Sequence, residues 1–142
     1  MATQSNFESD LPVKTTEIAI KLFDTVCTDG NYGVYSSQIA CLYLYLSEHQ
    51  WRIGAHDEAF ESLDKALECA KASEALNGKK DISYTAPLIK NVKINPGNLP
   101  IEKIASDLPR LWPFWCIPDY SSIKKEMQAD PRWNKWVEKT GI

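Results

Sequence analysis

The apolar positions between Ser37 and Ala72 fall into two helix-length patterns separated by Gly54. In the second pattern Ala59, Leu63, Ala66, Leu67 and Ala70 recur at the spacing of one helical face, while Glu58, Glu61, Asp64, Lys65, Glu68 and Lys71 fall elsewhere. This predicts an amphipathic helix with an alanine-rich seam. Small residues at 59, 66 and 70 let a second helix approach closely, and Leu63 and Leu67 fill the space between the backbones. In the first pattern Ile39, Leu42, Tyr43, Leu44, Tyr45, Leu46 and Trp51 make a helix that is apolar nearly all round, so it should be covered on more than one side. Gly54 can take the left-handed conformation that closes a helix, and Asp57 suits the start of the next one by charge and by capping. The expected unit is a helical hairpin over about residues 37–72.

The flanks add shorter patterns. Met1 to Asp10 is polar and is expected to fray. From about Pro12 to Thr28, Ile18, Ala19, Leu22, Phe23 and Val26 form an amphipathic helix pattern, stopped by Asp29-Gly30-Asn31. After Ala72 the hairpin's second helix can run to about Leu76 and should yield at Asn77-Gly78. A third, shorter helix is expected at about Tyr84 to Val92, with a turn at Asn95-Pro96-Gly97-Asn98. From Leu99 to Ile142, Pro100, Pro109, Pro113, Pro118 and Pro131 divide the chain into short pieces. Asp119 to Ser122 predicts a capped short helix ahead of Ile123, and Asp130-Pro131 opens another. These patterns predict one all-α domain over 1–142, a hairpin with flanking helices closed by a Pro/Trp-rich segment at about 99–142.

The hairpin resembles the tetratricopeptide repeat, a helix-turn-helix unit of about 34 residues. Tyr43 stands at that family's first large aromatic position, Leu46 and Ser47 at its Leu-Gly pair, Gly54 at the turn, and Ala59, Leu63 and Ala66 at the packing positions of the second helix. Gln50 replaces the usual tyrosine and Leu63 the usual phenylalanine. A second repeat does not precede it, because the small-residue positions would then fall on Thr25 and Tyr32. The run from Cys41 to Ala72, followed by Tyr84 to Lys93, looks like the C-terminal helical domain of bacterial Xre-type transcription regulators, without their helix-turn-helix. The run from Met127 to Ile142 is similar to the DPRF-type closing helix of bacterial repeat proteins, with Trp133 in place of phenylalanine. The resemblance implies a protein- or peptide-binding or self-association domain in a bacterial transcription regulator. It also implies that the first helix of the hairpin lines a concave surface, which places Leu44, Glu48, Trp51 and Arg52 toward a ligand. Glu48 would repel a C-terminal carboxylate there, so an amphipathic peptide or partner helix is the expected occupant. The competing reading packs the same four residues under the C-terminal segment.

Composition narrows the classes further. A net charge of −3, with no run of Lys or Arg longer than two, argues against direct nucleic-acid contact. No apolar run approaches the roughly 20 residues of a membrane span, and the N-terminus lacks the order of a signal peptide, so a cytoplasmic chain is expected. Cys27, Cys41, Cys69 and Cys116 are far apart with no CxxC pair, which suits free thiols. His49 and His56 do not form a recognisable ligand pair, so no metal is expected. No phosphate loop, GxSxG or HExxH is present, and neither catalytic residues nor a cofactor are expected. Trp112 and Trp115 sit in the cluster Leu111 to Pro118, which reads either as a packed lid or as a partner patch with rigid aromatic anchors. A second function from another class is a small-molecule sensing domain with an aromatic-lined pocket. A homodimer is expected if Leu42 to Leu46 keeps an uncovered patch.

Overall fold

The computed structural model describes residues 10–95, 104–111 and 120–141. Helix α1 (Leu11–Val26) is followed by a 3₁₀ turn (Gly33–Tyr35), α2 (Ser36–Arg52) and α3 (His56–Glu74). A short ribbon comes next, β1 (Ile82–Ser83) and β2 (Lys93–Ile94) with a 3₁₀ turn (Pro87–Ile89) between them. Three helices close the chain, α4 (Leu108–Leu111), α5 (Tyr120–Ala129) and α6 (Pro131–Lys139). The described residues are mostly helical, as the periodicity predicts.

Helices α2 and α3 form the expected hairpin and share the most extensive contact among the described elements. Gly54 ends α2 at φ +83. That conformation lets the Gly54 amide donate to Trp51 O at 3.0 Å and the Ala55 amide donate to Gln50 O at 2.9 Å, the paired bonds of a Schellman motif. Helix α3 then starts without a side-chain cap, and Asp57 lies in its first turn, where its charge suits the helix dipole. Ala59, Leu63, Ala66, Leu67 and Ala70 are all buried, and the six charged positions read as the outer face are all exposed. Ala66→Leu is expected to overpack this seam and cost about 1 to 3 kcal/mol. Thermal denaturation that does not move with this substitution would show that Ala66 has room beside it and the seam is loose.

Helix α1 lies on α2 through Val13, Ile20 and Leu46, with Leu42, Tyr43 and Ile53 packed around them. The patch at Leu42 to Leu46 is therefore largely covered from within the chain. At the other end Ile123, Met127, Trp133 and Trp136 join the main core against α3. Asp130 caps α6, its Oδ1 accepting from the Arg132 amide at 2.9 Å, and Pro131 occupies the first turn as expected. The Arg132 side chain and amide hold the Asp130 carboxyl below its ordinary value. The cap's contribution is therefore complete at neutral pH and is lost as pH falls through that lowered value.

The helix expected at Tyr84 to Val92 is not formed. Antiparallel pairing of Ile82 with Ile94 and Ser83 with Lys93 makes a two-stranded ribbon instead. From Ile82 to Ala86 burial alternates residue by residue, a strand period that Ile and Thr favour. Pro87 then withholds an amide and Asn91 turns the chain at φ +78, so no helical ladder can run through.

Candidate functional site

The α2 residues expected to line a concave surface face inward. Leu44 is buried in the main core. Glu48 is 0% exposed and pairs with the Arg52 guanidinium. His49 Nδ1 lies 2.8 Å from the other Glu48 oxygen, without the alignment of a hydrogen bond. Trp51 is 7% exposed. Its indole N–H donates to Glu126 of α5 at 2.8 Å, its ring stacks on His56 at 3.6 Å, and it meets Phe60 edge to face with 6.0 Å between ring centres. The open concave surface expected at Leu44, Glu48 and Trp51 is thereby corrected, because Leu44 packs into the main core, Glu48 is buried beside Arg52, and α5 with the first turn of α3 covers Trp51. Arg52 is half-buried, held by Glu48. Trp112 and Trp115 lie outside the described residues.

The open apolar surface is on α1. Successive 100° steps put Leu11, Ile18, Leu22 and Val26 on one stripe and Val13 and Ile20 on the opposite side. Only the second side packs on α2. The first is exposed along the whole helix, with Leu22 66% exposed. Ile18, Leu22 and Val26, which the periodicity puts on the helix's apolar face, are on the side left outside.

Beside the C-terminal half of this stripe stands the ribbon, and the two enclose a groove of about 470 Å³. Leu22, Phe23 and Val26 form one wall, Ile89, Val92 and Ile94 the other, with Cys27, Tyr35 and Tyr84 between them. Phe23 and Tyr35 meet at 5.6 Å between ring centres. Leu88, 72% exposed, extends the apolar surface on the ribbon's 3₁₀ turn.

A polar latch fixes the ribbon against the end of α1. Asn31 Nδ2 donates to Thr85 Oγ1 at 3.1 Å and to Ser83 O at 3.4 Å, while its Oδ1 accepts from the Gly33 amide at 3.1 Å. The Thr85 hydroxyl donates to Asp29, and this bond, with the Asn31 amide, holds the Asp29 carboxyl below its usual range. Tyr84 packs directly over Gly33, which sits at φ +55; a Cβ there would stand 2.5 Å from the ring. Only glycine fits both that backbone and that contact.

The groove is chemically quiet. Burial, helped by Asp29 and Asp24, raises the Cys27 thiol, so at neutral pH it is protonated and a poor nucleophile. Burial likewise raises Tyr84, opposed by the Val34 amide, and the Tyr84 hydroxyl makes no hydrogen bond of good geometry. Among the described residues no cluster of three His, Cys, Asp or Glu could hold a metal, and no helix is long and apolar enough to cross a membrane. Such a lining can bury apolar surface.

No family model, characterised protein or solved structure matches the chain.

Sequence reasoning missed the ribbon wall of the groove and the outward direction of α1. A signal for the second was present. Val13 and Ile20 stand opposite Ile18 and Leu22, which makes α1 apolar on two sides.

Proposed function

We propose that the chain is a protein- or peptide-binding module whose working surface is the outer stripe of α1 and the groove between α1 and the ribbon. The observation that carries this reading is the row of large aliphatic side chains, Leu11, Ile18, Leu22 and Val26, left in water beside an apolar groove. Single exposed apolar residues are ordinary, but four on one side of a helix that runs into an apolar concavity are the usual mark of an interaction site. A small-molecule sensing role calls for an enclosed cavity. Here Leu22, Tyr35 and Val92 line the groove and are themselves open to solvent, which favours a segment laid along it. The role in a bacterial transcription regulator rests on the sequence resemblance alone.

Site-directed photo-crosslinking tests the reading. A photoreactive residue placed at Leu88 is expected to give a discrete protein adduct in cells, lost on Leu22→Asp. The same residue at Glu61, on the solvated face of α3, is expected to give none. Equal labelling from the two positions would refute the groove as a working surface.

A further inference from the structure

The charges at the edges of this surface select among segments that could dock on it. Going round α1 from the exposed stripe, the first charged positions are Lys14 and Lys21, and the acidic Glu17 and Asp24 come only after them, nearer to α2. Asp24 accepts the Tyr32 hydroxyl at 2.5 Å. Lys14 has one exposed contact, 3.1 Å to Asp10. Across the groove Lys90 follows the lining residue Ile89 and is exposed. Among the described residues neither Lys21 nor Lys90 makes an ion pair. The strip thus carries Leu11, Ile18, Leu22 and Val26 with Thr15 and Thr25 among them, has Lys14 and Lys21 along one side and Lys90 beyond the groove, and meets the carboxylate of Asp29 only at its C-terminal end, where Thr85 and the Asn31 amide already occupy it.

We propose that it takes an amphipathic helix of a partner protein whose aliphatic stripe is flanked by glutamate or aspartate. The inference rests on the docking reading above and adds the chemistry of the occupant. From Leu11 to Val26 the stripe rises about 22 Å at 1.5 Å per residue, so a partner helix of about four turns matches it. Aliphatic anchors at i, i+4, i+7 and i+11 would lie against Leu11, Ile18, Leu22 and the groove, and acidic residues beside them would meet Lys14, Lys21 and Lys90. A second copy of this chain fits less well, since pairing the strip with itself sets lysine edges against lysine edges.

The test uses two synthetic helix-forming peptides of about 16 residues. Both carry leucine at i, i+4, i+7 and i+11; one has glutamate at the flanking positions and the other lysine. The glutamate peptide is expected to bind the full chain roughly ten-fold more tightly, from a few-fold for each exposed charge pair. Amide NMR shifts should cluster on α1 and the ribbon, and the preference should narrow as salt is raised. The double variant Lys21→Glu with Lys90→Glu should reverse it. Both lysines are exposed, so the fold is expected to tolerate the change. Equal binding of the two peptides would leave the docking surface standing and overturn the charge selection. If neither peptide binds and light scattering finds a dimer that Leu22→Asp separates, the occupant is a second copy and the inference is wrong. If neither binds and the chain is monomeric, the inference and the docking reading fail together.

Discussion

Trp136→Ala is expected to lower the folding free energy by about 3 to 5 kcal/mol, the range for removing a buried tryptophan. Trp136 is 2% exposed and belongs to the main core with Leu63, Met127 and Trp133. Its indole N–H donates to Leu63 O of α3 at 2.9 Å. The substitution therefore opens a cavity and removes the hydrogen bond that ties the C-terminal helix to the hairpin. Trp136→Phe keeps much of the apolar volume and loses the bond, so its direct hydrogen-bond cost should be nearer 1 kcal/mol. Helix α6 has nine residues, too few to persist alone in water, so its helicity depends on this docking. Urea denaturation of both variants checks the order. Near-equal midpoints for Trp136→Ala and the unaltered chain would mean that α6 adds nothing to the stability of the hairpin.

The second large effect is expected from Trp51→Ala, also on the order of 3 to 5 kcal/mol. The indole fills the space between α2, the start of α3 and α5, stacked on His56 and bonded to Glu126. Nearby, Arg132 reaches over Phe60 at 4.5 Å and pairs with Asp57 at 2.7 Å, so several side chains close over the same corner. Because Trp51 is buried, its loss should appear as lost stability and not as lost recognition. The partner affinity of the molecules that remain folded should be unchanged. Thermal melting and binding measured on the same preparation separate the two. Binding abolished with the melting temperature unmoved would return the site to the face of α2.

Several features were legible because they depend on neighbours in sequence. The alanine seam at 59, 66 and 70 specifies a close helix pair, and Gly54 supplies the only backbone at that point able to close α2 with both Schellman bonds. Asp130-Pro131 marks the start of α6 because the cap and the fixed proline φ act within one turn. The two-sided apolarity of α2 announces that it is covered on more than one side. It does not say which elements do the covering.

That choice belongs to the tertiary structure. Leu44, Glu48 and Trp51 align with the open face of a repeat, yet α5, about 75 residues further along the chain from Trp51, brings Glu126 against Trp51 and closes that side. The ribbon formed where a helix was expected. Its strands are two residues each, and its fixed position also draws on contacts with Gly33 and Asn31, some 50 residues upstream. The two apolar sides of α1 show the limit most directly. Periodicity identifies Val13 and Ile20 on one side and Ile18 and Leu22 on the other, and either could bury comparable area. Docking on Leu42 and Leu46 chose the first and left the second beside the ribbon. Helix formation and capping are local, decided within a few residues by spacing and hydrogen bonding. Which face is buried is decided by long-range packing, and that is why the exposed apolar side of α1 emerges only when the chain is folded.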